Sequence, residues 1–149
     1  FDPNQVDKFQ SSSALNAIKS GGLTGQGMGE GILKESVPEA HTDYVIAVIS
    51  EEYGSLVSII ILIIFLYISF RIVKNCFNQE DQFLKISLSG LATLLILQTF
   101  IHAGVNINLL PTTGMTLPFL SYGGSSLIGS AILAGLVLNY TKNKTYLYD

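Results

Sequence analysis

Pro38-Glu39-Ala40-His41-Thr42-Asp43 runs directly into YVIAVISEEYGSLVSIIILIIFLYISFRIV, residues 44–73. The second part is long and apolar enough to span a bilayer, which takes about 20 residues as a helix. Its densest stretch is Ile59–Phe70. The first part sets a proline and several polar or ionisable groups at the mouth of that segment. Charged groups beside hydrocarbon are costly and face a protein interior or a wet cavity. Asp43, the last of them, is therefore the first candidate for a functional carboxylate.

Two more apolar segments follow, at about residues 84–105 and 120–140. Between Lys85 and Lys142 there is no Asp, Glu, Lys or Arg. Charged residues make up 13% of the 149-residue chain, against roughly 25% in a soluble domain. Mean hydropathy is +0.46. These features predict an all-α polytopic membrane protein with three transmembrane helices and a large extracytoplasmic loop. The chain opens at Phe1 with no signal-peptide pattern and reads as the C-terminal part of a longer protein. The net charge of -3 says little about partners, and nothing suggests nucleic acid. The single Cys76 excludes an internal disulfide or a cysteine metal cluster.

Positive charge sets the orientation. Arg71, Lys74 and Lys85 flank the link between the first two segments, and Lys142 and Lys144 follow the third. These ends belong inside, so residues 1–43 and the 106–119 loop face outward. Within the outer stretch, Phe9–Ser20 carries an apolar stripe of Phe9, Ala14, Leu15 and Ile18 that predicts a short helix. The run Gly25-Gln26-Gly27-Met28-Gly29-Glu30-Gly31 allows tight turns. It fits neither a dinucleotide fingerprint nor a phosphate-binding P-loop. A flexible loop and a headgroup or sugar contact both remain open for it.

A helix starting at Pro38 would place Glu39 and Asp43 on one face. The same face continues through Ala47, Ser50, Glu51, Gly54 and Ser58. A stripe of small and polar residues should meet other helices or a cavity rather than lipid. For Glu39 the plainer reading is helix-end electrostatics. Asp43 is deeper and reads as functional. His41 suits a hydrogen-bond partner of a neighbouring acid. The spacing of His41, Asp43 and Glu39 fits no specific metal site. No cofactor is identified, and a divalent cation is left open. Glu51 should be paired inside the bundle, because adjacent carboxylates in lipid are implausible.

The loop from Asn108 to Ser126 has hydroxyls, prolines and glycines but no charge. Irregular backbone at membrane depth survives only when buried in protein or lining water. It is expected to dip into the outer mouth of the bundle like a re-entrant segment. There its amides and hydroxyls suit an anion.

Pro38-Glu39-Ala40-His41-Thr42-Asp43 with Glu51-Glu52-Tyr53-Gly54 resembles the SEDS family. So does Leu110-Pro111-Thr112-Thr113-Gly114 with Leu117-Pro118-Phe119-Leu120-Ser121-Tyr122-Gly123-Gly124-Ser125-Ser126. The resemblance covers nearly the whole chain and lies nearer the division members than the elongation members. It implies a ten-helix enzyme of the bacterial inner membrane at the division site. That enzyme would polymerise the lipid-linked precursor lipid II into glycan strands, and this chain would supply the last three helices. The family's catalytic aspartate falls on Asp43, as general base for the acceptor 4-hydroxyl. Lys34, Glu39, His41, Thr112, Thr113, Ser121, Gly123, Gly124 and Ser125 become the substrate-binding candidates. Thr113 stands where other members carry a lysine, so positive charge for the pyrophosphate must come from elsewhere. A class B penicillin-binding transpeptidase and other division membrane proteins are the implied partners.

Two rivals stand beside this reading. A transporter, including a lipid II flippase, also uses broken helices and carboxylates. It should place ionisable groups near the midplane, where the second and third segments offer only His102. A non-enzymatic division scaffold has no need of an acid at position 43.

Overall fold

The computed structural model describes residues 3–37 and 40–142, with the backbone alone described for residues 3–8, 34 and 35. Among the described residues the chain is all-helical: α1 (Pro3–Gly21), α2 (Leu33–Ser36), α3 (Val45–Tyr53), α4 (Ser55–Phe77), α5 (Gln82–Asn106) and α6 (Gly124–Thr141). Three of these, α4, α5 and α6, are long and apolar enough to cross a membrane. Most of their side chains are exposed, including Ile59, Ile63, Phe70, Leu97 and Ile128. Such surfaces suit lipid or further helices rather than water.

The first span differs from the sequence expectation of 44–73. The apolar helix begins at Ser55, and residues 45–53 form the separate helix α3. The break falls at Gly54, whose φ of +94° is available to glycine at little cost. Its physical reason is the pair Glu51-Glu52, which an unbroken span would carry into lipid. With the break, both acids stay on α3, outside the 23-residue apolar helix.

The glycine run meets this break. Gln26 N–H donates to Glu51 O at 2.8 Å, Gly27 N–H to Glu52 O at 3.1 Å, and Ser55 N–H to Gly22 O at 2.9 Å. A Cβ at Gly25 would run into the Glu52 carbonyl, and one at Gly54 into the Leu23 carbonyl. The run is therefore a backbone clasp around the α3–α4 junction, and only glycine allows the approach.

The outer segment packs as one apolar cluster. Ala14 and Ala17 of α1 lie with Leu33, Val37, Ala40, Tyr44, Ala47 and Val105. A second cluster joins α4 and α5 through Phe65, Ile72, Cys76, Leu88, Ala92 and Leu95. At the opposite end, Cys76 Sγ–H donates to Lys85 O at 3.1 Å and ties the bend between α4 and α5. Asp81 caps α5 by accepting from Phe83 N–H at 2.9 Å.

Helix α1 is longer than the expected Phe9–Ser20 and ends at Gly21. Lys144 lies outside the described residues. Lys74, in the last turn of α4, is at the end of the bundle away from Asp43. In a Cys76→Ser background, a cysteine at position 24 should react with an impermeant thiol reagent in intact cells, and one at position 80 should not. Reversed labelling would contradict the orientation set by Arg71, Lys74 and Lys85.

Candidate functional site

Residues 40–43 form turns, and the helix behind them starts at Val45. The expected continuous helix from Pro38 is thus replaced by a turn that carries Asp43 up to the amino end of α3. Pro38 and Glu39 lie outside the described residues. The rest of the predicted stripe is buried: Ala47, Ser50, Glu51, Gly54 and Ser58. Ser50 and Ser58 hydroxyls bond each other at 2.7 Å across the Gly54 break.

Three successive carbonyls of the turn are each held by another element. His41 O accepts from Tyr122 N–H at 2.9 Å. Thr42 O accepts from the Ser121 hydroxyl at 2.8 Å, and His102 Nε2 lies 3.4 Å from it. Asp43 O accepts from Asn106 Nδ2 at 2.9 Å. Ser121 Oγ also accepts from Leu117 N–H at 2.8 Å, so the 117–122 loop and the turn lock each other. Asp43 itself is 7% exposed, whereas His41 is exposed. Backbone fixed this tightly holds a side chain in place at little further cost in order.

Helix α5 builds its share of the grip from one face. Leu88, Ala92, Leu95, Thr99, His102 and Asn106 are all buried, and their three- and four-residue spacing puts them in a single stripe. Its lower half is apolar and packs on α4. Its top is polar and meets the turn. Asn106 Nδ2 donates to His102 O at 2.8 Å and lies 3.2 Å from His102 Nδ1. The His102 tautomer with the proton on Nε2 satisfies both ring contacts.

The residues picked from sequence fall into two groups. Asp43, His41 and Ser121 come together through the contacts just described. Thr112 is half-buried and Thr113 exposed on the extended loop. Gly123 is half-buried, while Gly124 and Ser125 are exposed at the amino end of α6, where no side chain caps the helix. Lys34 sits on α2, and its side chain, like Glu39, lies outside what is described. Between α5 and α6 a cavity of about 310 Å³ is lined by residues such as Leu94, Gln98, Thr116, Ser126 and Leu133. Among the described residues, no three His, Cys, Asp or Glu side chains are grouped to hold a metal ion.

Glu51 has a structural partner within the chain. Its carboxylate accepts from Ile32 N–H and Leu33 N–H, both at 3.1 Å, and it is buried. From α3 it thus caps the amino end of α2, within this chain. Glu51→Ala would leave two donors unmet and should lower stability by about 1–3 kcal/mol. Glu51→Gln, whose amide oxygen can still accept from one of the two N–H groups, should lose less. Thermal unfolding of the detergent-solubilised full-length protein measures the difference, and an unchanged midpoint for Glu51→Ala would contradict the cap.

Sequence reasoning passed over Asn106. The available signal was an amide four residues after His102 in an apolar helix, at the end leading to the Pro111–Gly114 loop.

The family model for FtsW, RodA and SpoVE, described as cell cycle protein, matches residues 1–146. A probable peptidoglycan glycosyltransferase FtsW of Caulobacter vibrioides is 38% identical over 148 residues, covering 99% of this chain and 38% of that protein. The Geobacter metallireducens protein of the same description is 43% identical over 139 residues, covering 93% and 37%. That of Enterococcus hirae is 36% identical over 137 residues, covering 91% and 34%. The chain thus spans a little over a third of the length of these relatives.

Proposed function

This chain belongs to the FtsW/RodA/SpoVE family, and from that premise we propose that it is part of a peptidoglycan glycosyltransferase that polymerises lipid II, with Asp43 as general base. The observation that carries the proposal is the Asp43 turn: a buried carboxylate whose backbone is clamped from α5 and from the 117–122 loop. Names borne by similar proteins support the reaction class.

The chemistry follows from the acceptor. A sugar hydroxyl is a weak nucleophile. The Asp43 carboxylate takes its proton as the oxygen attacks the anomeric carbon of the donor. The bond from that carbon to the lipid pyrophosphate breaks, and the pyrophosphate leaves with the bonding pair. Its developing charge needs donors fixed in advance. The uncapped amides at the start of α6 and the hydroxyls of Thr112, Thr113 and Ser125 suit that part. His41, Lys34 and Glu39 would contact the sugars from the outer side. The apolar cleft between α5 and α6 is compatible with a lipid-linked substrate.

In this reading the whole protein is a ten-helix bundle of the bacterial inner membrane, acting at the division site with a class B penicillin-binding transpeptidase. The test supplies purified full-length protein in vesicles with labelled lipid II. Glycan strands should form. Movement of the label across the bilayer without strands would favour a flippase, and neither product would favour a scaffold.

A further inference from the structure

We infer that Asn106 is a positioning residue for Asp43: it caps α3 from another helix and so sets where the carboxylate stands. This inference rests on the general-base reading of Asp43.

Helix α3 is not capped by its own N-cap side chain. Its N-cap is Tyr44, which makes no side-chain cap hydrogen bond. The first amides of a helix need acceptors, and a Ser, Thr, Asp or Asn at the N-cap ordinarily supplies one to the third helical residue. Here that amide belongs to Ala47, and its acceptor is Asn106 Oδ1 at 2.9 Å, 59 residues away. The other end of the same amide group donates to Asp43 O at 2.9 Å. One planar side chain thus fixes the distance between Asp43 and the first turn of α3. It is itself fixed, because Nδ2 also donates to His102 O and the residue is 0% exposed. No rotation of the Asn106 amide preserves both contacts, since Oδ1 has no proton to give and Nδ2 accepts none. His102 extends the grip to Thr42 O.

Such a residue touches no reacting atom but controls one that does. Displacement of a catalytic group by about 1 Å costs on the order of 10²-fold in rate. In the full-length protein with lipid II, Asn106→Ala should lower kcat by about 10²-fold, with KM changed no more than about threefold. In an Asp43→Asn background the same change should have no further effect, because the group it positions is already silent. Asn106→Asp keeps an acceptor for Ala47 N–H at the positive end of α3 but loses the donor to Asp43 O. With a carboxylate oxygen set against the Asp43 and His102 carbonyls in a buried site, it should unfold below wild type and still lose kcat.

The outcomes separate. Asp43→Asn inactive with Asn106→Ala at wild-type kcat overturns this inference and leaves the general base standing. An Asn106→Ala loss that adds in full to that of Asp43→Asn, or that appears in KM alone, also overturns it. So does recovery of kcat in Asn106→Asp. Near-wild-type activity of Asp43→Asn overturns the general-base reading and this inference with it.

Discussion

Gly25→Ala releases the outer clasp from the α3–α4 junction, and the amides of Gln26 and Gly27 lose protection from hydrogen exchange. Two effects act together. Gly25 has φ of +82°, a region that costs another residue about 1–3 kcal/mol. The new methyl would also meet the Glu52 carbonyl and the Gly54 amide. Neither is a flexible side-chain end, so the backbones must part. The hydrogen bonds from Gln26 N–H and Gly27 N–H are then lost, at about 1 kcal/mol each. The sum, about 3–5 kcal/mol, exceeds what a local segment of this kind holds in reserve. Gly22 supplies the control. Its φ is also positive, at +56°, but a Cβ there meets nothing within 4 Å. Asparagine tolerates that conformation, so Gly22→Asn should leave exchange at residues 26 and 27 unchanged. Equal protection in wild type and Gly25→Ala would show that the run is an ordinary loop.

The contrast between these two glycines shows what a sequence can and cannot carry. The alternating glycines of residues 25–31 announce an unusual backbone, but not which strand of chain they approach. That information sits in Glu52 and Gly54, more than twenty positions away. The three apolar helices were legible because length and absence of charge decide them. The break at Gly54 was half legible. Glu51-Glu52 inside an apolar run signalled a conflict, and a glycine stood beside it, yet an unbroken helix satisfies the same periodicity. The buried stripe of Ala47, Ser50, Glu51 and Ser58 was legible because the 3.6-residue period continues in phase through the break. Its partners were not. Glu51 finds the α2 amides and Ser50 finds Ser58, both within this chain.

Within the candidate site, Asp43 and the 117–122 loop could be named from residue types and resemblance. The way they meet could not. Ser121 was picked as a substrate ligand, and its hydroxyl donates to Thr42 O. The signal for Asn106 was ambiguous, because an amide in an apolar helix reads the same whether it is a bystander or a clamp. Only its contacts with Ala47 and Asp43, across some sixty positions, give it a role.

The largest effect on activity is expected at Asp43. Asparagine matches aspartate in shape and keeps a hydrogen-bonding oxygen, but it cannot take a proton from an attacking hydroxyl. The main-chain carbonyls of His41, Thr42 and Asp43 hold the turn to α5 and to the 117–122 loop, and asparagine at position 43 leaves those bonds in place. Because asparagine keeps the shape of the side chain and an acceptor oxygen, Asp43→Asn should preserve folding and membrane abundance. General-base catalysis contributes about 10²–10⁴-fold, and a loss of that size should appear in kcat. Glu39→Gln should lose less if that acid serves helix-end electrostatics or sugar positioning. A structural role for Asp43 would show instead as lower abundance, with activity per folded molecule retained.

The most direct measurement gives purified full-length wild type and Asp43→Asn the same lipid II and follows substrate binding and glycosidic bond formation separately. Binding near wild type with bond formation reduced about 10²–10⁴-fold is the expected result. Bond formation by Asp43→Asn at close to the wild-type rate would contradict the account and move the proton transfer to another residue.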